Sequence, residues 1–342
     1  MRAKHLAELL SRMIPARMPV LITGAPGLGK SDITAQAAQS SNSDLIISHP
    51  AVSDPTDYKG LPWPDANKQS ANFLPFGEFQ QALTATKSTV WLLDDLGQAS
   101  PAVQAACMQL LLARRVNGHK LPDCVTFVAA TNRRTDRAGV TGILEPVKSR
   151  FSAIVELTAD VDDWGNWAIA NNINCTLIAF LRFRPDLLSN FQPSQDMTNS
   201  PCPRTWASLA KIETLQLPSA IESEAMAGAV GTGAATEYLA FRKLAAALVS
   251  VDEILLNPAG ARIPSKPAEL YAVSTALAVR ANDKNLARIA TYAERMTKEK
   301  LGEFAALILR DAVRRAPLLT HSDAFVKLAC GPLGSLISGQ EN

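Results

Sequence analysis

Between Gly24 and Ser31 the chain reads GAPGLGKS, an uninterrupted match to G-x-x-x-x-G-K-[ST]. It stands where a hydrophobic stub, VLIT (Val20 to Thr23), gives way to a stretch that can be helical (Ser31 to Gln39). Strand, glycine turn and helix form the context in which this pattern makes a phosphate cradle. Glycines let the backbone curl so that successive N–H groups face one anion, and the following helix points its positive end at the same place. In such a cradle Gly24, Ala25, Pro26, Gly27, Leu28 and Gly29 supply the curled backbone. Lys30 reaches the β- and γ-phosphates, and Ser31 holds Mg²⁺. The competing reading is a plain glycine turn, and the matched context on both sides weighs against it.

A cradle of this type needs an acidic strand end for its metal. VWLLDDLG (Val90 to Gly97) supplies one: four apolar residues bury a strand, and Asp94 and Asp95 emerge at its carboxyl end, where open α/β sheets bind ligands. Asp94 is then placed to orient Mg²⁺ through its water shell, and Asp95 to polarise the attacking water. The alternative is an exposed acidic turn. A third piece, FVAATNRR, ends an apolar strand at Thr131 and Asn132. An amide there can hold the water or sense the γ-phosphate, although asparagine also ends many strands with no such role.

The first half alternates strand-like and helix-like stretches. His5 to Ile14 reads as a short amphipathic helix. Val20 to Thr23, Leu45 to Ser48, Val90 to Asp94, Val125 to Thr131 and Ala153 to Leu157 are short uninterrupted apolar runs. Runs of this kind suit parallel strands covered on both faces, and five of them with helices between predict a doubly wound α/β sheet. Beyond about Asp160 the pattern turns wholly helical, with one Pro- and Gly-rich break at Asn257 to Pro267.

Composition excludes some classes. With 34 basic against 32 acidic residues, the chain is not strongly cationic, and nucleic acid is not the expected partner. No apolar run is long enough to span a bilayer, and Glu8 and Arg12 interrupt any signal-peptide core. Five cysteines without paired spacing suggest reduced thiols and a cytoplasmic location.

Taken in this order, the pieces resemble the AAA+ ATPases, and within them the MoxR-like group, from about Pro19 to Ala210. GAPGLGKS is similar to Walker A, VWLLDDLG to Walker B, and ATN, with Asn132, to sensor 1. ILEPVKSRF resembles the segment ending in the arginine finger, which falls on Arg150. CPRTWASL resembles the sensor 2 helix, which places Arg204 near the γ-phosphate. The resemblance implies a P-loop AAA+ core over residues 1–158, an all-α lid with sensor 2 over 159–256, and a C-terminal helical extension over 257–342. It also implies ATP and Mg²⁺ as ligands, ATP hydrolysis, a homo-hexameric ring in which Arg150 serves the neighbour's nucleotide, and remodelling of a protein client. Such proteins often work with a partner carrying a von Willebrand factor A domain. One departure stands out: the family usually has Glu where this chain has Asp95, one methylene shorter. That keeps a slow-hydrolysing nucleotide switch open as an alternative, beside a nucleic-acid motor or loader of the same class. By residue type alone, Arg150 can equally pair with Glu145, and Arg204 can be an ordinary first-turn arginine after Pro203.

Two stretches read as projecting hairpins. RRVNGHKLPDC holds Asn117-Gly118, a pair that tolerates positive φ at both positions. LPWPDANKQSANFLPF has proline-rich flanks around a polar turn, and SDPTDYKG and NFLPFGEF stand where MoxR-like proteins carry an inserted hairpin. Either hairpin serves as a contact surface or is a decorative loop. GAVGTGAATEY lacks the spacing of a second nucleotide loop and reads as a helix start. Trp164 and Trp167 read as core packing, and the basic excess between Arg280 and Arg315 as a solvated helix face.

Overall fold

The computed structural model describes the chain apart from residues 68, 137–138, 141, 193–196, 248–249, 331–333 and 335–342. Part of the expected 65–70 turn and the end of the expected C-terminal extension therefore lie outside the described residues. Two compact units form, one from Met1–Ala159 with Phe191–Asp196, the other from Asp160–Asn190 with Met197–Asn342.

Among the described residues, the first unit has nine strands: β1 (Val20–Thr23), β2 (Asp44–Ser48), β3 (Leu61–Pro64), β4 (Ala71–Leu74), β5 (Thr89–Leu93), β6 (Arg115–Val116), β7 (His119–Lys120), β8 (Val125–Thr131) and β9 (Ala153–Glu156). Five of them make a parallel sheet in the order β2-β5-β8-β1-β9. All five apolar runs read from the sequence are the strands of this sheet, within a residue at each end. The alternation along each strand divides the core. Val90, Leu92, Val128 and Ala130 pack with Leu6, Leu10, Ile33 and Ala37 on one face. Trp91, Leu93, Phe127 and Ala129 pack with Tyr58, Phe79 and Val103 on the other. Trp91 lies at the centre of the second face, stacked on Phe127, Tyr58 and Phe79 at 5.5, 6.1 and 6.4 Å between rings, with Nε1 donating to Ser48 Oγ at 2.6 Å. Burying such a ring contributes about 1.5–3 kcal/mol. Of the three inner strands, β5 and β8 are buried throughout, whereas Ile47 on β2 and Ile154 on β9, at the edges, are 41% and 51% exposed. Complete cover of every strand, as expected from the apolar runs, therefore fails at the two sheet edges, which have a neighbour on one side only.

Both expected hairpins are present. β3 and β4 pair antiparallel from Leu61↔Leu74 to Pro64↔Ala71. β6 and β7 pair around Asn117 and Gly118, both at positive φ (46° and 86°). The hairpins are tied together: Asn117 Nδ2 donates to Lys59 O at 2.9 Å, and His119 Nε2 donates to Phe73 O at 2.6 Å.

In the second unit, every regular element among the described residues is helical. Helices Cys175–Phe183, Pro267–Arg280 and Gly302–Arg315 pack on one another. A buried ion pair fixes them, Arg182 Nη2 donating to Asp311 Oδ1 at 3.1 Å. The Pro- and Gly-rich stretch at 257–267 thus joins helices of a single unit. Trp164 is buried, but Trp167 is 36% exposed, so only the first of that pair serves the core. GAVGTGAATEY forms the junction of helices Ser219–Val230 and Thr232–Ala246, with Gly231 at φ 84° between them.

Candidate functional site

Because the sheet is parallel, every strand ends on the same edge. Register aligns Thr23 of β1 with Thr131 of β8, and Leu93 of β5 with Ala129 of β8. The residues just past those ends, Gly24, Asn132 and Asp94, are therefore brought together from three distant stretches of chain.

The loop after β1 curls as the sequence predicts. Gly27 and Gly29 take φ values of 76° and 87°, where a side chain is strained, and Gly29 caps helix Lys30–Ser40 in a left-handed conformation. The backbone thus feeds a helix N-terminus whose first N–H groups have no carbonyl within the helix. Lys30 is only 7% exposed. Its Nζ donates to Gly24 O and Ala25 O at 3.0 Å each and to Asn132 Oδ1 at 2.8 Å. Ser31 Oγ donates to Asp94 Oδ2 at 2.6 Å. A positive loop with an ammonium group in its wall, beside a hydroxyl and a carboxylate in contact, fits a triphosphate with its divalent cation: nitrogen donors for the phosphates, oxygen ligands for a hard metal.

Asp95 follows directly, in a left-handed conformation (φ 58°, ψ 35°) that turns the chain away from the strand. Its Oδ1 accepts from Gln98 Nε2 at 2.8 Å and from Asn132 Nδ2 at 3.4 Å. The turn Leu96–Gln98 beyond it presses on β8: a Cβ on Gly97 would stand 2.1 Å from Thr131 Oγ1. Only glycine lets the Asp95 turn lie this close to the strand that carries Asn132. On the other side of Asn132, Arg133 bonds Asp136 and reaches Glu156 Oε1 at 3.1 Å. Hydrogen bonding to Asp136, helped by Glu156, raises the guanidinium above its ordinary pKa. Because Glu156 pairs with Thr23, this clamp fastens the end of β8 to the end of β9 across β1.

Arg150 lies elsewhere. It precedes β9, whose first residue, Ala153, aligns with Val20 at the start of β1. It therefore stands at the opposite edge of the sheet from its own cradle, a strand length of about 13 Å away at the usual rise per residue. Its Nη1 donates to Ser149 Oγ at 2.7 Å, and its Nε is buried with no partner among the described residues. Glu145, the alternative partner, is bonded by Lys148. Arg204 is exposed in the first turn of helix Pro203–Glu213, in the helical unit.

Motif reading reached Lys30, Ser31, Asp94, Asp95 and Asn132, which the fold gathers. It missed Gly97, Gln98, Gln104 and Arg133. Gln104 is buried, with Nε2 donating to Ala99 O and Gly142 O and Oε1 accepting from Leu144 N, so it ties the Asp95 turn to the segment leading to Arg150. The signal within reach was the glycine in DDLGQ, a small residue where a turn must approach a strand.

No protein-family model matches the chain, and no curated protein does. Solved structures resemble it at low identity. The RuvB Holliday junction branch migration motor of Thermotoga maritima is 15% identical, with 80% of each chain covered and a TM-score of 0.42. NtrX of Brucella abortus in complex with ATP is 13% identical, with a TM-score of 0.43 over 95% of this chain and 65% of that one. The same protein in complex with ADP gives 13% and 0.41 over the same shares.

Proposed function

We propose that the chain is an AAA+ ATPase of the MoxR-like kind, binding ATP with Mg²⁺ and hydrolysing it to drive remodelling of a protein client. The observation that carries this reading is the meeting of Lys30 with Asn132 and of Ser31 with Asp94 at the carboxyl edge of the sheet. When bound, Mg²⁺ offsets the negative charge of the phosphates. Lys30 turns its ammonium from Asn132 towards the β- and γ-phosphates, and the loop N–H groups close on the same anion. Asp94, with Ser31, holds the cation's shell. Asp95 accepts a hydrogen from the attacking water, and Asn132, released by Lys30, orients it.

Arg150 supports a shared active site. Set at the sheet edge away from its own cradle, it is suited to serve the nucleotide of a neighbouring copy, which calls for a closed ring, a hexamer by family precedent. Arg204 is assigned to the γ-phosphate as sensor 2. The paired hairpins are the proposed client surface: Leu61, Trp63 and Leu74 are 48–62% exposed on them. A von Willebrand factor A domain protein is the proposed partner. No helix among the described residues is long and apolar enough to cross a membrane, and the free cysteines suit a reducing cytoplasm.

Titration with ATP and ADP, with and without Mg²⁺, followed by phosphate release tests the reading. Binding together with phosphate release supports it. Binding with no release under single-turnover conditions replaces the motor by a switch. No binding under any condition ends the nucleotide reading.

A further inference from the structure

The two ends of Gln98 are treated differently by the fold. Nε2 donates to Asp95 Oδ1 at 2.8 Å, while Oε1 is buried with no partner among the described residues. Gln104, further along the same stretch, is the contrast. Its nitrogen donates to two carbonyls and its oxygen accepts from a backbone N–H, so both ends are committed to the main chain. Buried side-chain polar atoms are mostly paired, so an unpaired amide oxygen calls for an explanation. Gln98 satisfies only the end that touches Asp95.

The setting is rigid where it needs to be. Gln98 N donates to Asp95 O at 3.0 Å, closing a tight turn that places the two side chains one above the other. Gly97 packs that turn directly on Thr131. Both donors to the Asp95 carboxylate, Gln98 and Asn132, use Oδ1, and Oδ2 has no hydrogen bond among the described residues. One oxygen is thus held and the other left to accept a hydrogen from water.

We infer that Gln98 is a positioning residue for hydrolysis: its amide fixes the rotamer of Asp95 so that Oδ2 faces the reacting water. This rests on the nucleotide reading above and goes beyond it by assigning a role to a residue outside every motif. Asp95 has a short side chain in a left-handed turn, so its carboxylate orientation depends on a neighbour. Gln98 is the nearer of its two donors.

The test uses the full chain and measures ATP affinity and single-turnover phosphate release separately. Gln98→Met keeps the length and packing of the side chain and removes the amide. Gln98→Glu, a second variant of the same shape, replaces the donor with an acceptor. Both are expected to bind ATP with near wild-type affinity and to release phosphate about tenfold to a hundredfold more slowly, the scale of one hydrogen bond to a charged group. In an Asp95→Asn background, Gln98→Met is expected to cost nothing further, because a residue that acts through Asp95 has nothing left to position. Wild-type rates in both Gln98 variants overturn the inference. So does an equal loss from Gln98→Met with and without Asp95→Asn, which marks a structural role only. Failure of the unmodified chain to bind ATP overturns the nucleotide reading instead.

Discussion

Ser31 Oγ donates to Asp94 Oδ2 at 2.6 Å, joining the first turn of the helix after β1 to the end of β5. β8 lies between those two strands in the sheet, so the bond spans it at the carboxyl edge. On the proposed reading, a hydroxyl and a carboxylate already in contact are two oxygen ligands that need only exchange one hydrogen bond for a shared cation. The same edge holds Lys30 against Asn132. These bonds close the site on itself, the proposed function has phosphate and metal replace them, and each can be tested.

Lys30→Met removes the ammonium but retains a side chain of similar length. ATP and ADP affinity should fall by about a hundredfold or more, the combined scale of several charge-assisted hydrogen bonds. Calorimetric titration decides it, and an unchanged Kd would remove Lys30 from the phosphate site.

Chelation of divalent cations should abolish phosphate release while leaving some nucleotide binding through the loop and Lys30. Ser31→Ala and Asp94→Asn should each raise the Mg²⁺ concentration needed for half-maximal turnover by about tenfold. A Mg²⁺ dependence identical to that of the unmodified chain would show that the Ser31–Asp94 pair does not hold the metal.

Arg150→Ala and Asp95→Asn should each lose most of their turnover alone while keeping a slow residual rate that single-turnover measurement can follow. Mixed, they should regain part of the activity, because some interfaces then combine an intact Asp95 with an intact Arg150. Mass measurement must confirm that mixed assemblies form. Silent mixed assemblies would contradict a shared site.

Gly97→Ala places a Cβ 2.1 Å from Thr131 Oγ1, well inside van der Waals contact. Expected are a loss of about 1–3 kcal/mol in stability and a fall in turnover as the Asp95 turn lifts from β8. Adding Thr131→Ala removes the colliding oxygen and should restore part of both. A fully tolerated Gly97→Ala would show that the turn has room to move.

Glu222 gives the helical unit a pH dependence. Hydrogen bonds and charge from Arg242, at 2.6 and 2.9 Å, hold its carboxyl below the ordinary value of 4.5. A lowered folded pKa adds stability above the ordinary value and loses it as pH falls through the folded one. Arg242 is a third exposed, so the contribution is discounted to about 0.5–1 kcal/mol. Glu222→Gln should lower the urea midpoint at pH 7, and the difference should shrink and close as pH falls from the ordinary carboxylate range through the lowered folded value. A difference that persists at low pH would assign the effect to packing.

The five strands, the glycine loop, the place of the Asp94–Asp95 pair at a strand end and both hairpins were legible in the sequence because each depends on local chemistry. An apolar run ended by a turn buries itself, glycines allow positive φ, and Asn-Gly favours a tight hairpin. The role of Gly97 was hidden, since its need for a hydrogen in place of a side chain comes from Thr131, which is remote in the chain and near only in space. Gln98 and Gln104 were hidden for a related reason: one amide faces a carboxylate and the other faces main chain, and composition cannot separate them.

By itself the sequence determined which residues can curl around an anion, which can ligate a cation, and which stretches must be covered by others. Only the tertiary structure decided that Asn132 meets Lys30, that Asp94 meets Ser31, and that Arg150 lies at the far edge of the sheet from its own cradle. The physical reason is that strand order and register are settled by burying two apolar faces at once. That cooperative packing sets which strand ends are neighbours, and no local stretch of chain contains it.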